Sequence, residues 1–229
     1  MLPIPKRGYA NLEIVKRSNI LLDSFNNLAN IGDNPTESDL RKLILFCVVT
    51  LYLLEAINFM ASFAITFGIA ERGILQGIGQ NVTLIARDEI LHAKGGSVVL
   101  GILKQQWPET FESLRPTFAA MLKGVVSDEH TWADHAFSNG RQCVGINAKR
   151  IKDYVDWVAQ PVADTLGVPR LTNLAENPLP YMDSYTDASK IQSAAQEIQL
   201  TAYLVNSVKS VSDAEMEKTL ANLREEYLN

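Results

Sequence analysis

Residues 42–72 read KLILFCVVTLYLLEAINFMASFAITFGIAER, and the 28 positions from Leu43 to Ala70 hold a single charged side chain, Glu55. About 20 apolar residues suffice to cross a bilayer, so the first question is whether this segment spans a membrane. No basic cluster or aromatic belt flanks it, no second span of similar hydrophobicity follows, and a lone central carboxylate is costly in lipid unless paired. A helix that is apolar all round is equally the inner helix of a bundle. Its midpoint charge then needs a partner, and a metal ion is one of the few strong enough. We therefore read a bundle helix and expect no membrane partner.

The pattern on either side is helical. Residues 12–30 space Leu, Ile and Phe at three and four and end in the turn-rich NIGDNPTES, where Thr36 or Ser38 can cap the apolar helix with Glu37 and Asp39 at its positive end. Gly73 marks a break. A second long helix covers about 74–104 and ends before Trp107-Pro108, a third runs from about 108 to 138 and stops at Asn139-Gly140, and a fourth covers about 147–166 and stops at Gly167. Glycines at 73, 77 and 79 weaken the start of the second helix by up to about 1 kcal/mol each. From 168 onward prolines make the chain irregular, and no strand period occurs anywhere. GILQGIGQ follows no strand, which argues against a phosphate loop. The fold class expected is all-α, with a helical portion over 1–185 and a flexible tail over 186–229.

With 47% hydrophobic residues, 21% charged and a net charge of −5, the chain reads as soluble and has no basic excess to bind nucleic acid. Cys47 and Cys143 fit neither a metal spacing nor a disulfide framework, so a reducing, cytoplasmic setting is expected. MLPIPKRGYANLEIVKR lacks the apolar core of a targeting signal.

The chemistry is carried by LIARDEILHAKGG. Glu89 and His92 are three apart and project from one helical face. A Glu-x-x-His pair of this kind is the carboxylate-plus-imidazole unit of dinuclear helical bundles, where two further helices each add one Glu. Alone the pair is a weak signal, but Glu55 lies on the apolar helix that must pack beside it. Two carboxylates and an imidazole meeting in a dry core suit iron or manganese. Phe59 and Phe63 follow Glu55 at intervals of four, and on spacing alone they are core packing. A full dinuclear site needs a second Glu-x-x-His unit and another carboxylate, yet the other histidines, His130 and His135, form no such unit. The sequence thus holds half a site, which either a twofold dimer doubles or a different chain completes.

Six stretches in order, LLEAINFMASFAITFGIAER, LIARDEILH, TWADHAFSNG, GINAKRIKDYVDWVA, NPLPYMDSY and QEIQLTAYLV, resemble the small (beta, radical-generating) subunit of class Ia ribonucleotide reductase. The resemblance runs from about residue 12 to residue 205 and matches only the C-terminal portion of that family. It implies a ferritin-like helical bundle and a di-iron centre, with manganese possible. Beside the metals that family carries a tyrosyl radical, which passes to a large subunit that reduces ribonucleoside diphosphates. Residue by residue, it implies that Glu55, Glu89 and His92 are metal ligands. Phe59, Phe63 and Ile85 would form the apolar pocket around the radical tyrosine, and Asp88 would orient ligands and join the transfer path. Tyr203 and Glu197 would relay the radical across the interface with the large subunit. The family's other ligands and its radical tyrosine have no counterpart here. The reading that follows is the C-terminal part of a split small subunit, completed by an N-terminal fragment and working as a dimer with the large subunit. The alternative is a homodimeric di-iron oxidase or metal-binding protein made from two half sites, and a third is a remnant that packs without metal.

Overall fold

The computed structural model describes Val15, Arg17, Asn26, Asn30, Gly32 and residues 34–187. Contacts divide the chain into Met1–Gln192 and Ser193–Asn229, and all described residues belong to the first unit. Tyr203, Glu197 and nearly all of the tail expected over 186–229 lie outside the described residues. Of the helix expected over 12–30, Val15, Arg17 and Asn26 are described and helical.

Helix α1 (Glu37–Leu53) starts at a capping box: Thr36 Oγ1 accepts from Asp39 N at 3.2 Å while Thr36 N donates to Asp39 Oδ2 at 3.1 Å. Each contact satisfies a donor that the first helical turn would otherwise leave open. The helix does not run unbroken to Ala70. A π-helical turn, Leu54–Asn58, interrupts it before α2 (Met60–Ala70) resumes. Leu45, Val49, Leu53, Ile57, Ala61, Ala64 and Phe67 are all fully buried, which makes this run the central rod of the core. By length and composition Glu37–Ala70 could cross a membrane, but 44% of its most apolar window is buried inside the fold.

The break at Gly73 is a turn in which Gly73 (φ 73°) and Leu75 (φ 55°) are both left-handed. It reverses the chain into α3 (Gln76–Gln106), which packs against α1 and α2. The glycine at 79 has a packing reason that its helix propensity hides: a Cβ there would meet the Ala70 Cβ at 2.7 Å, so its absence lets α2 and α3 approach closely. α4 (Pro108–Ala136) opens on Pro108, where a missing N–H costs nothing. α5 (Ala148–Leu166) is capped by Asn147, whose Oδ1 accepts from Arg150 N at 2.9 Å, and it ends at left-handed Gly167. α4 and α5 pack along each other and against the rod. The irregular stretch after 168 contains one short helix, α6 (Met182–Thr186), which the prolines had masked. No strand occurs among the described residues beyond one isolated bridge between Cys143 and Ile146.

Candidate metal centre

The π-helical turn carries Glu55, and α3 carries Glu89 and His92 on the facing side. Their ligand atoms all lie within 4.8 Å of one another. His92 Nδ1 is 3.0 Å from Glu89 Oε2 and 3.8 Å from Glu55 Oε2. The expectation of a dry core does not hold among the described residues, because the His92 side chain is 61% exposed while Glu55 and Glu89 are 19% and 18% exposed. The face that bears the three groups has no described helix over it.

Partial burial raises the Glu55 carboxyl to about 7, the neighbouring Glu89 pushes it the same way, and His92 opposes both. The Glu89 carboxylate raises His92, with Glu55 and Asp88 adding to it. Glu55 Oε2 is buried without a hydrogen-bond partner. Two carboxylates held together at a site with an orphaned oxygen repel each other, and a divalent cation offsets that repulsion. Two hard oxygens and an imidazole are also the donor set that suits iron or manganese. The residues present therefore fit the metal, as far as three ligands go.

Around this cluster, Phe63 is buried, Phe59 is half-buried and Ile85 is 49% exposed. Ile85 thus stands on the open face. Asp88 is exposed, and its charge reaches His92. The aromatic row does not stop at Phe63. Ring centroids step 6.1 Å from Phe59 to Phe63, 6.1 Å to Phe67 and 4.2 Å to Tyr185, whose hydroxyl donates to Glu71 Oε1 at 2.7 Å.

Sequence reasoning missed a second cluster. Glu129 on α4 is fully buried. Arg17 donates to it through Nε at 2.6 Å to Oε1 and through a terminal nitrogen at 3.0 Å to Oε2, and Asn58 Nδ2 donates to Oε1 at 3.2 Å. Arg17 also donates to the Asn58 carbonyl and to Ser62 Oγ, and its guanidinium lies 4.8 Å from the centre of the Trp132 ring. Burial nevertheless pushes the Glu129 carboxyl up to about 7 against the pull of Arg17 and Asn58. The cluster braces the end of the π-helical turn that begins with Leu54 and Glu55. A signal was present: buried Phe118, Leu122, Val125, Val126 and Ala133 form one stripe of α4, and Glu129 falls within it.

The ribonucleotide reductase small chain family model matches residues 10–178. The chain belongs to that family. Ribonucleoside-diphosphate reductase subunit beta of Haemophilus influenzae is 29% identical over 183 residues, covering 78% of this chain and 48% of its own length. The subunit beta of Buchnera aphidicola subsp. Baizongia pistaciae is 30% identical over 190 residues, covering 79% and 49%. The chain thus spans about half the length of these curated relatives. Among solved structures, the ribonucleotide reductase R2 subunit from Clostridium botulinum superimposes with a TM-score of 0.67 at 20% identity, over 81% of this chain and 58% of that one. A likeness at that identity speaks to the fold, which is the all-α, ferritin-like bundle of the ribonucleotide reductase small chains.

Proposed function

We propose that the chain supplies Glu55, Glu89 and His92 as half of a di-iron site in a ribonucleoside-diphosphate reductase small subunit, an oxidoreductase component. The observation that carries this reading is the convergence of the three ligand atoms within 4.8 Å in a chain of the small chain family. When bound, the metal pair supplies one-electron oxidising power. The chain's own residues do the rest: Glu55 and Glu89 offer oxygens, His92 offers its ring nitrogen, and Asp88 orients the imidazole through its charge. Phe59 and Phe63, with Ile85 once a partner covers the open face, keep water from the space beside the site. Tyr203, with Glu197 six positions before it in sequence, passes the oxidising equivalent toward the large subunit, which reduces ribonucleoside diphosphates in the cytoplasm.

We assign the remaining ligands to small-subunit polypeptide that these 229 residues do not include. Exposed apolar residues support a covering partner. Ile78, Ile85 and Val99 are 52%, 49% and 43% exposed, and with His92 they recur every seven residues along α3. Seven-residue spacing is the seam on which another helix packs. On α1, Leu40, Ile44 and Leu51 form a matching exposed row that leads to Glu55.

Iron titration with metal analysis tests the proposal. The chain should hold two irons per site only after a polypeptide bearing the missing ligands is added. A stable isolated monomer with two irons would overturn it. A second reading, a homodimer of two half sites, draws on the same open face, and two irons per homodimer without any other chain would establish it. In the assembled enzyme, Tyr203→Phe should retain the metal and abolish nucleotide reduction; retained turnover would remove the tail from the mechanism.

A further inference from the structure

Arg17, Arg41, Arg115 and Arg170 each meet a carboxylate. Arg72, Arg141 and Arg150 meet none among the described residues, and all three are fixed on the loop between α4 and α5 or at its edges. Arg141 Nε donates to the Ala136 carbonyl at 2.8 Å, and its Nη2 donates to the His135 carbonyl and, at 2.7 Å, to Ser138 Oγ. Arg150 donates to the Gly145 carbonyl at 2.6 Å and to the Pro178 carbonyl at 2.8 Å. Arg72, just past α2, donates through Nε to the Val144 carbonyl at 2.9 Å. Gly145 (φ 85°) makes room for it, since a Cβ there would collide with a terminal nitrogen of Arg72. Carbonyl oxygens orient these guanidiniums and leave their charge in place.

A cavity of about 640 Å³ opens at this loop, lined by Arg141, Gln142, Lys149 and Arg150 among others. Its volume is in the range of small-molecule sites. Arg141 is exposed, and among the described residues its Nη1 makes no hydrogen bond, which leaves two N–H groups for an incoming acceptor. Lys149 is held by Asp153 at 2.6 Å, so that pair adds little charge. Glu71, beside Arg72 in sequence, accepts from the Tyr185 hydroxyl. Even with Glu71 counted against them, the three arginines leave a positive excess at the loop of a chain whose net charge is −5. A carboxylate ligand brings one charge and fills one guanidinium fork, whereas a phosphate brings nearly two charges and enough oxygens for more than one. We infer that the cavity binds a small phosphorylated molecule, with Arg141 donating to the phosphate oxygens and Arg150 and Arg72 adding their charge. This inference does not rest on the metal reading, since binding needs no metal.

Inorganic diphosphate serves as the probe, titrated by calorimetry at fixed ionic strength into the metal-free full-length chain in the assembly in which it purifies. It should bind saturably, one per chain. Gln142 is exposed, lines the cavity and makes no hydrogen bond among the described residues, so its replacement changes charge and little else. Gln142→Glu should weaken binding roughly fivefold and Gln142→Lys should strengthen it by a similar factor, the effect of one charge placed a few ångströms from the anion. Opposite shifts at one exposed position report charge and not folding. Gln106→Glu, at the opposite end of α3 from Arg72, adds the same charge to the chain and should leave the affinity unchanged. Arg141→Gln should lower affinity by at least about tenfold, the loss of a charged, two-pronged donor. Its unfolding midpoint is checked first, and if that variant unfolds the Gln142 pair decides alone. No saturable binding, equal affinity in the two Gln142 variants, or an equal loss in Gln106→Glu would overturn the inference.

Discussion

Arg17 and Glu129, 112 positions apart, form a two-pronged ion pair with contacts of 2.6 and 3.0 Å around a fully buried carboxylate. The pair joins Arg17 to α4, and Asn58 donates to the same carboxylate. Removing one partner of a buried pair leaves an uncompensated charge. Arg17→Ala should lower stability by about 3 kcal/mol at pH 8, measured by urea denaturation. At pH 5 the loss should be smaller, because the isolated carboxyl takes up a proton instead. An equal loss at both values would contradict this account.

Glu129 also sets a pH dependence. Its carboxyl lies at about 7 when folded, against 4.5 for the free group. Below 4.5 both states hold the proton; between about 4.5 and 7 only the folded state does, so stability falls as pH rises through that window. The full effect is about 3–4 kcal/mol, since each pH unit between the two values is worth about 1.4 kcal/mol. Denaturation midpoints taken from pH 4 to pH 8 should decline, and Glu129→Gln should flatten the decline.

Two glycines on the first turn of α3 should respond in opposite ways. Gly79→Ala pushes a methyl to 2.7 Å from the Ala70 Cβ and should cost about 1–3 kcal/mol by overpacking. Gly77→Ala meets nothing within 4 Å and should gain up to about 1 kcal/mol of helix propensity. Thermal unfolding of the two variants separates packing from propensity.

At the metal cluster, His92→Ala should leave the unfolding midpoint of the chain unchanged, because the ring is largely exposed. Cobalt(II) affinity in the completed site should nevertheless drop by at least about tenfold, the loss expected even for residues one step removed from a metal. Equilibrium dialysis reads this directly, and unaltered affinity would exclude His92 as a ligand.

Tyr185→Phe removes the hydrogen bond to Glu71 and keeps the stack on Phe67. It should cost about 1 kcal/mol, whereas Phe67→Ala should cost about 3–5 kcal/mol through the cavity it opens. Chemical denaturation of both variants would show whether the ring or the hydroxyl holds α6 in place.

Much of this arrangement was legible in the residues. A cap at Thr36 or Ser38, the stops at Asn139-Gly140 and Gly167, and the Glu-x-x-His pair all act over three or four positions, and local rules govern them; the structure chose Thr36. Glu55 stood out because a charge inside a long apolar run demands a partner. The partner of Glu129 could not be read, since periodicity says which face a residue occupies and never which distant residue meets it. The exposure of His92 was hidden for a related reason: whether a helix face is covered depends on what packs over it. The π-helical turn has no local signature here, as LEAIN suits an ordinary helix equally well.

That turn carries a consequence for the spacing of the whole rod. Successive residues of an α-helix are set about 100° apart, and the wider π-turn takes up roughly one residue's worth of that angle, so a regular α-helical turn at Leu54–Asn58 would present a different side beyond that point. Winding these five residues as regular α-helix with none removed would leave Leu45, Val49 and Leu53 facing inward and swing Ala64 and Phe67 away from the centre. The irregular turn is thus a phase adjuster. It lets one continuous segment obey two angular registers, one set by the neighbours of α1 and the other by the neighbours of α2, with Glu55 at the join.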